Sequence, residues 1–101
     1  MRTRFLAAAR REFSEAVSYY DSKEPSLGDE FADEVWETIS RIASHPSAWQ
    51  QLSSRTRRCL TRRFPYAVIY RAQAKSILII AVMHQKRHPD SWRGRVDDFG
   101  K

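Results

Sequence analysis

The chain has 101 residues, one folding domain's worth, and with 42% hydrophobic and 30% charged residues its composition is globular rather than disordered or collagen-like. Its longest apolar run, Ile77 to Met83, falls well short of the ~20 residues that a membrane-spanning helix needs. One cysteine and three scattered histidines supply neither a disulfide nor zinc-ligand spacing, so no metal or cofactor is expected. The start, Met1 to Arg11, imitates a signal peptide through Arg2 and Arg4. Its apolar stretch, Phe5 to Ala9, is shorter than the ~7 residues an h-region needs at the least. The expectation is a single cytoplasmic domain over residues 1–101, away from membranes.

In chain order, Arg2 to Leu6 has room for a short strand. Ala9, Phe13, Ala16, Val17 and Tyr20 then recur at the 3.6-residue period of an amphipathic helix, with Arg10, Arg11, Glu15 and Ser18 on its outer face. Asp21 to Pro25 breaks the pattern. Ser26 followed by Asp29 reads as an N-cap with a first-turn carboxylate, and Leu27, Phe31, Val35, Ile39 and Ile42 form the buried stripe of a second helix ending near His45, before Pro46. Arg57 to Phe64 alternates weakly, as suits a strand exposed on one side. Tyr66 to Tyr70 is β-branched and aromatic, and Ile77 to Met83 suits a central strand, with Gln73 to Ser76 as the connecting turn. After His88, Pro89 and Asp90 favour a break and a last short helix carrying Trp92. The expected architecture is α+β: an N-terminal helical hairpin packed on one face of a small antiparallel β-sheet, with a short C-terminal helix and the opposite sheet face left bare.

The net charge of +6 is unevenly divided. Residues 1–50 carry six basic and nine acidic side chains, net −3, and residues 51–101 carry twelve and three, net +9. No carboxylate lies between Thr38 and Pro89, a stretch containing Arg55, Arg57, Arg58, Arg62, Arg63 and Arg71. Such a field attracts nucleic acid or an acidic protein, or is a solvated face without a specific partner.

An ordered set of residues resembles the RelE/ParE superfamily of bacterial toxins. It comprises Tyr19 and Tyr20; Leu27, Gly28 and Phe31; Ile42, Pro46 and Trp49; Arg58 and Leu60; the block Arg63 to Tyr70; and Ala81, Val82, His84, Arg87, Pro89, Trp92 and Arg95. The Phe64, Pro65, Tyr66 block and the His84, Arg87, Pro89 run look more similar to the ParE-like side, the plasmid-stabilisation toxins. The resemblance implies a helical hairpin on an antiparallel sheet and a cognate antitoxin whose C-terminal part wraps the toxin. It implies one of two targets, DNA gyrase or ribosome-bound mRNA. A basic RNA-binding module without toxicity is the remaining alternative.

For an mRNA-cutting enzyme, a site must hold the phosphate, stabilise its developing charge and protonate the leaving oxygen, which basic side chains and one titratable group accomplish without metal. His84, in phase with Leu78, Ile80 and Val82, would transfer the proton, with Arg63 and Arg87 completing the catalytic set. Arg58, Arg62 and Tyr66 are the expected phosphate- or target-binding residues, and Arg57, Arg71 and Trp92 the expected antitoxin contacts. Tyr66 and Tyr70 share one face of their strand, in the core or on the open side. Cys59 reads as a small strand residue. A chain ending without a tyrosine after Tyr70 departs from the usual nuclease pattern, which favours the non-catalytic reading. All of this supposes that the arginines of the C-terminal half share an open patch that the helical pair leaves uncovered.

Overall fold

The computed structural model of the chain describes residues 1–88 and 90–96. Its elements are β1 (Arg2–Phe5), α1 (Ala7–Lys23), α2 (Leu27–Ser44), β2 (Gln50–Gln51), β3 (Arg57–Leu60), β4 (Tyr66–Ala72) and β5 (Ser76–His84), followed by a 3₁₀ turn at Arg93–Arg95. The five strands form one sheet in the order β1-β5-β4-β3-β2. The meander β2 to β5 is antiparallel, as local hairpins require, but β1 lies parallel to β5, with Arg2 opposite Ser76 and Phe5 opposite Ile79. The sheet is therefore mixed rather than wholly antiparallel. The hairpin of helices intervenes between β1 and the later strands, and its crossover returns the chain in the same direction.

The helical stripes act as their periodicity predicts. Phe31, Val35, Ile39 and Ile42 of α2 and Ala9 and Ala16 of α1 are buried against Cys59, Val68, Tyr70, Ile77, Ile79 and Val82. Tyr70 is fully buried and donates its hydroxyl to the Pro46 carbonyl, and Tyr66 lies on the same helix-facing side, so both tyrosines belong to the packed face. Ser26 is not a side-chain cap. It has φ 72° in the left-handed region, and its hydroxyl makes no cap bond. The capping role passes to Asp21, whose Oδ1 accepts the Gly28 N–H at 2.8 Å across the hairpin. Gly28 is required at this point, since a Cβ there would lie 2.5 Å from the Val17 carbonyl oxygen.

Several strand boundaries differ from the periodic reading. β3 stops at Leu60 instead of reaching Phe64, because the Thr61 hydroxyl donates to the Phe64 carbonyl and pulls the chain into a loop. In β5, the pairing steps from Ile69 opposite Ala81 to Tyr70 opposite Ile79, which leaves Ile80 as an extra residue in a β-bulge. The bulge reverses the alternation. Ile77, Ile79 and Val82 face the helices, while Leu78, Ile80, Ala81 and Met83 face away. His84 is thus in phase with Val82 but not with Leu78 and Ile80.

The face opposite the helices is not bare. Trp92, 1% exposed, covers Ile69, Leu78, Ile80, Ala81 and Met83, with Leu52 and Val96 at the margin. Among the described residues, the segment that delivers it forms a short 3₁₀ helix, Arg93–Arg95, where a short C-terminal helix was expected. The break expected at Pro89 lies outside the described residues.

Candidate functional site

The arginines of the C-terminal half do not share one open patch. α2 lies over β3 and β4, so its acidic outer stripe meets the β3–β4 loop. The Glu34 carboxylate accepts the backbone N–H groups of Arg63 and Phe64 at 2.6 and 3.1 Å, and Arg63 Nη2 lies 2.8 Å from Glu30 Oε1. That bond with Glu30 raises the Arg63 pKa further, although solvent screens so exposed a pair. Arg62 reaches Glu37 at 3.9 Å, where Arg41 also binds at 3.1 Å. Glu30, Asp33, Glu34 and Glu37 therefore line a shallow groove of about 420 Å³ together with Arg62 and Arg63. A charge count along the chain omits this neutralisation, since the partners are some thirty residues apart in sequence.

The remaining basic residues divide between the two faces. Arg57 points to the helix side and donates to the Trp49 carbonyl at 2.8 Å, while Arg58 points to the other face and donates to Gln50 Oε1 at 2.7 Å. Arg71 is 5% exposed and bonds Thr56 Oγ1 at 3.1 Å. Of the three expected antitoxin contacts, Arg71 and Trp92 are buried and Arg57 is half-buried.

His84 closes β5 and stands edge-on to Tyr66, ring centroids 5.3 Å apart. Its Nδ1 accepts the Lys86 N–H at 3.0 Å, so the neutral ring carries its proton on Nε2. His84 and Arg87 line two clefts. One, of about 230 Å³ on the helix side, includes Glu12, Glu15, Tyr19 and Tyr66. The other, of about 130 Å³ on the opposite face, includes Leu52, Arg58, Ile69 and Met83. The fold thus gathers His84, Arg87 and Tyr66, with Arg58 across the sheet, whereas Arg62 and Arg63 lie in the separate α2 groove. Burial raises the Tyr66 pKa above its ordinary value, so the phenol stays neutral and packs against Tyr20, Phe31 and His84.

The residue that sequence reading missed is Glu12. Its Oε2 is 2.7 Å from Arg87 Nη1 and 2.6 Å from Arg95 Nη2, while its Oε1 accepts Arg95 Nη1 at 2.8 Å and the Val82 N–H at 3.1 Å. β1 ends at Phe5, so β5 loses its neighbour after the Leu6 N–H bonds the Ile79 carbonyl. Glu12 and Arg95 fill the gap, because Arg95 Nη1 also donates to the Ile80 carbonyl at 3.0 Å. The available signal was positional: Glu12 sits at i+3 from Ala9 and i−4 from Ala16, a carboxylate within the buried stripe.

A family model described as "ParE toxin of type II toxin-antitoxin system, parDE" matches residues 3–89. The chain belongs to the ParE toxin family. A solved structure, the "Chromosomal ParDE TA system from P. aeruginosa", is similar in fold, with a TM-score of 0.71 and 15% identity over 83% of this chain and 95% of that one. No curated protein matches. As a ParE-family toxin, the chain is the toxic component of a type II toxin-antitoxin system and has an antitoxin as partner. The family match stops before Trp92 and Arg95, so the cover on the second sheet face lies beyond the matched range of this ParE toxin. No helix among the described residues is long and apolar enough to cross a membrane.

Proposed function

We propose that this toxin acts by binding a protein target, DNA gyrase, rather than by cutting message. The observation that carries this reading is the dispersal of the residues a metal-free ribonuclease would need. Arg63 is held by Glu30 and Glu34 in the α2 groove, and Arg87 is held by Glu12, so two of three catalytic candidates are bound to carboxylates. A site that stabilises a developing phosphate dianion needs free donors converging on one point. Surfaces of alternating arginine and carboxylate, like the α2 groove, suit recognition of a protein instead.

The test is induced expression followed by two readouts, together with a supercoiling assay on purified gyrase. Growth arrest with gyrase-linked DNA breaks and intact transcripts is the expected result. Truncated transcripts with normal supercoiling would reject it.

One feature favours the second reading, a ribosome-dependent endoribonuclease. His84, Arg58 and Arg87 share the cleft opposite the helices, and the His84 Nε2 proton is not used by Lys86. Under that reading His84→Ala abolishes transcript cleavage and leaves antitoxin binding intact.

For the antitoxin, Arg71 and Trp92 are reached only if the segments over them move, whereas the half-buried Arg57 borders a surface cleft with Arg55. Its acidic, amphipathic part first meets the exposed Arg55, Arg62 and Arg63, where its carboxylates compete with those of α2. Association is therefore expected to slow as salt is raised.

A further inference from the structure

The sheet has one long open edge, and it is β1. Of the two outer strands, β2 has only two residues, Gln50–Gln51, whereas β1 has four. The Arg2 and Leu6 N–H groups donate to the Lys75 and Ile79 carbonyls, so the even-numbered residues turn their backbone groups toward β5. By alternation, the N–H and C=O groups of Thr3 and Phe5 point out of the sheet. Among the described residues, no hydrogen bond within the chain engages these four groups.

The side chains around this edge are basic. Residues 1–11 contain four arginines, Arg2, Arg4, Arg10 and Arg11, and no carboxylate. All four are exposed, and among the described residues no ion pair engages them. Arg4 lies opposite Leu78, so it and Arg2 project from the sheet face away from the helices. Phe5, opposite Ile79, turns to the helix side, where its ring stacks on Phe13 at 6.0 Å, meets Trp36 at 5.7 Å and lies 5.6 Å from the Arg10 guanidinium. β1 is thus held extended by β5 and by the packing of Phe5, and needs no ordering before a further strand joins it.

A strand added to an open edge takes its affinity from main-chain hydrogen bonds and its specificity from alternate side chains. Every second residue of such a strand would lie beside Arg2 and Arg4, where a carboxylate is favoured. The residues between would lie beside Thr3 and Phe5, where β-branched or apolar side chains are favoured. We infer that the β1 edge captures an extended acidic peptide segment in which carboxylates alternate with β-branched or apolar residues. A second copy of this chain fits poorly, because two β1 edges paired antiparallel with Thr3 opposite Phe5 set Arg4 against Arg4, and like charges directly opposite oppose pairing. Nucleic acid fits poorly too, since its phosphates accept hydrogen bonds but offer no donor to the Thr3 and Phe5 carbonyls. The edge flanks Ser76 to Ile79, whereas His84 closes the other end of β5, so the inference stands or falls independently of the gyrase reading.

The probe is an end-blocked hexapeptide of alternating glutamate and valine, titrated into the purified full chain and followed by amide resonances and amide hydrogen exchange. It is expected to bind and to slow exchange at Thr3 and Phe5, whose N–H groups face outward. Replacing both exposed arginines, Arg2→Glu with Arg4→Glu, should weaken binding by about tenfold or more. Thr3→Pro removes an outward donor without touching the ladder to β5 and should weaken it by about tenfold. Unchanged far-ultraviolet circular dichroism shows that each variant folds. A hexapeptide of alternating lysine and valine should not bind.

No binding of the glutamate-valine peptide overturns the inference. So does binding that leaves the Thr3 and Phe5 amides unprotected, or binding that survives the double arginine replacement. A short oligothymidine of the same charge that binds as tightly and displaces the peptide would make the edge a general polyanion site and also overturn it.

Discussion

Replacing Glu12 by alanine removes the group on which three segments converge: α1, the bulged edge of β5 and the C-terminal segment. The Glu12 and Arg95 side chains are only 12% and 15% exposed, and their contact is bidentate. Alanine leaves the Arg95 charge partly buried without its carboxylate and the Val82 N–H without an acceptor. A fully buried pair broken from one side costs ~3–5 kcal/mol, and an orphaned N–H ~1–3 kcal/mol. Partial access of water reduces both. Arg87, half-exposed, adds little. The combined loss is expected to be about 3 kcal/mol. Glu12→Gln, which keeps an acceptor but not the charge, should lose roughly half of that. Urea unfolding followed by circular dichroism measures these values, and a cycle with Arg95→Ala isolates the pair. The double variant should be less destabilised than the sum of the singles by about 2 kcal/mol. A Glu12→Ala loss below ~0.5 kcal/mol, within the range of ordinary surface changes, would refute the clamp, as would strict additivity.

Three further outcomes rest on other parts of the fold. Gly28→Ala places a Cβ 2.5 Å from the Val17 carbonyl oxygen, so it should cost about 1–3 kcal/mol in a thermal melt, whereas Gly94→Ala, with nothing within 4 Å, should be close to neutral. Trp92→Ala uncovers Ile69, Leu78, Ile80 and Met83, and should lower stability by about 3–5 kcal/mol while increasing binding of a hydrophobic dye. Burial pushes the Tyr70 hydroxyl from its ordinary 10.0 up to about 12. The folded state therefore favours the protonated phenol: the contribution is complete below pH 10 and is lost as pH rises toward 12. Urea midpoints across this alkaline range should fall for the wild type and fall less steeply for Tyr70→Phe, which starts from a lower stability because the bond to Pro46 is gone.

Much of the architecture is legible because it follows from short periods. Phe31, Val35, Ile39 and Ile42 define the inner side of α2 without reference to any other segment, and the continuous apolar run from Ile77 to Met83 marks a central strand, although the cover on its second face was not foreseen. His84, Arg87 and Tyr66 could be grouped in advance, because β4 and β5 form a hairpin and Tyr66 pairs directly with His84. The grouping of Arg63 with His84 failed for a different reason. The α2 carboxylates that meet Arg63 at the β3–β4 loop are brought there by packing between layers, and a linear charge count carries no information about it.

The sequence by itself determined the two helices, the strands β3, β4 and β5 of the meander and the family, since each depends on residues that are neighbours along the chain or repeat at a local period; β2 was not foreseen. Tertiary structure alone decided that β1 runs parallel to β5, that Ile80 bulges and turns His84 toward the helices, that Trp92 covers the second sheet face, and that Glu12 binds Arg87 and Arg95. Each of these joins groups far apart in sequence. Such contacts form where strand edges must be closed and charges neutralised after the layers have packed, and those demands exist only once the chain has folded.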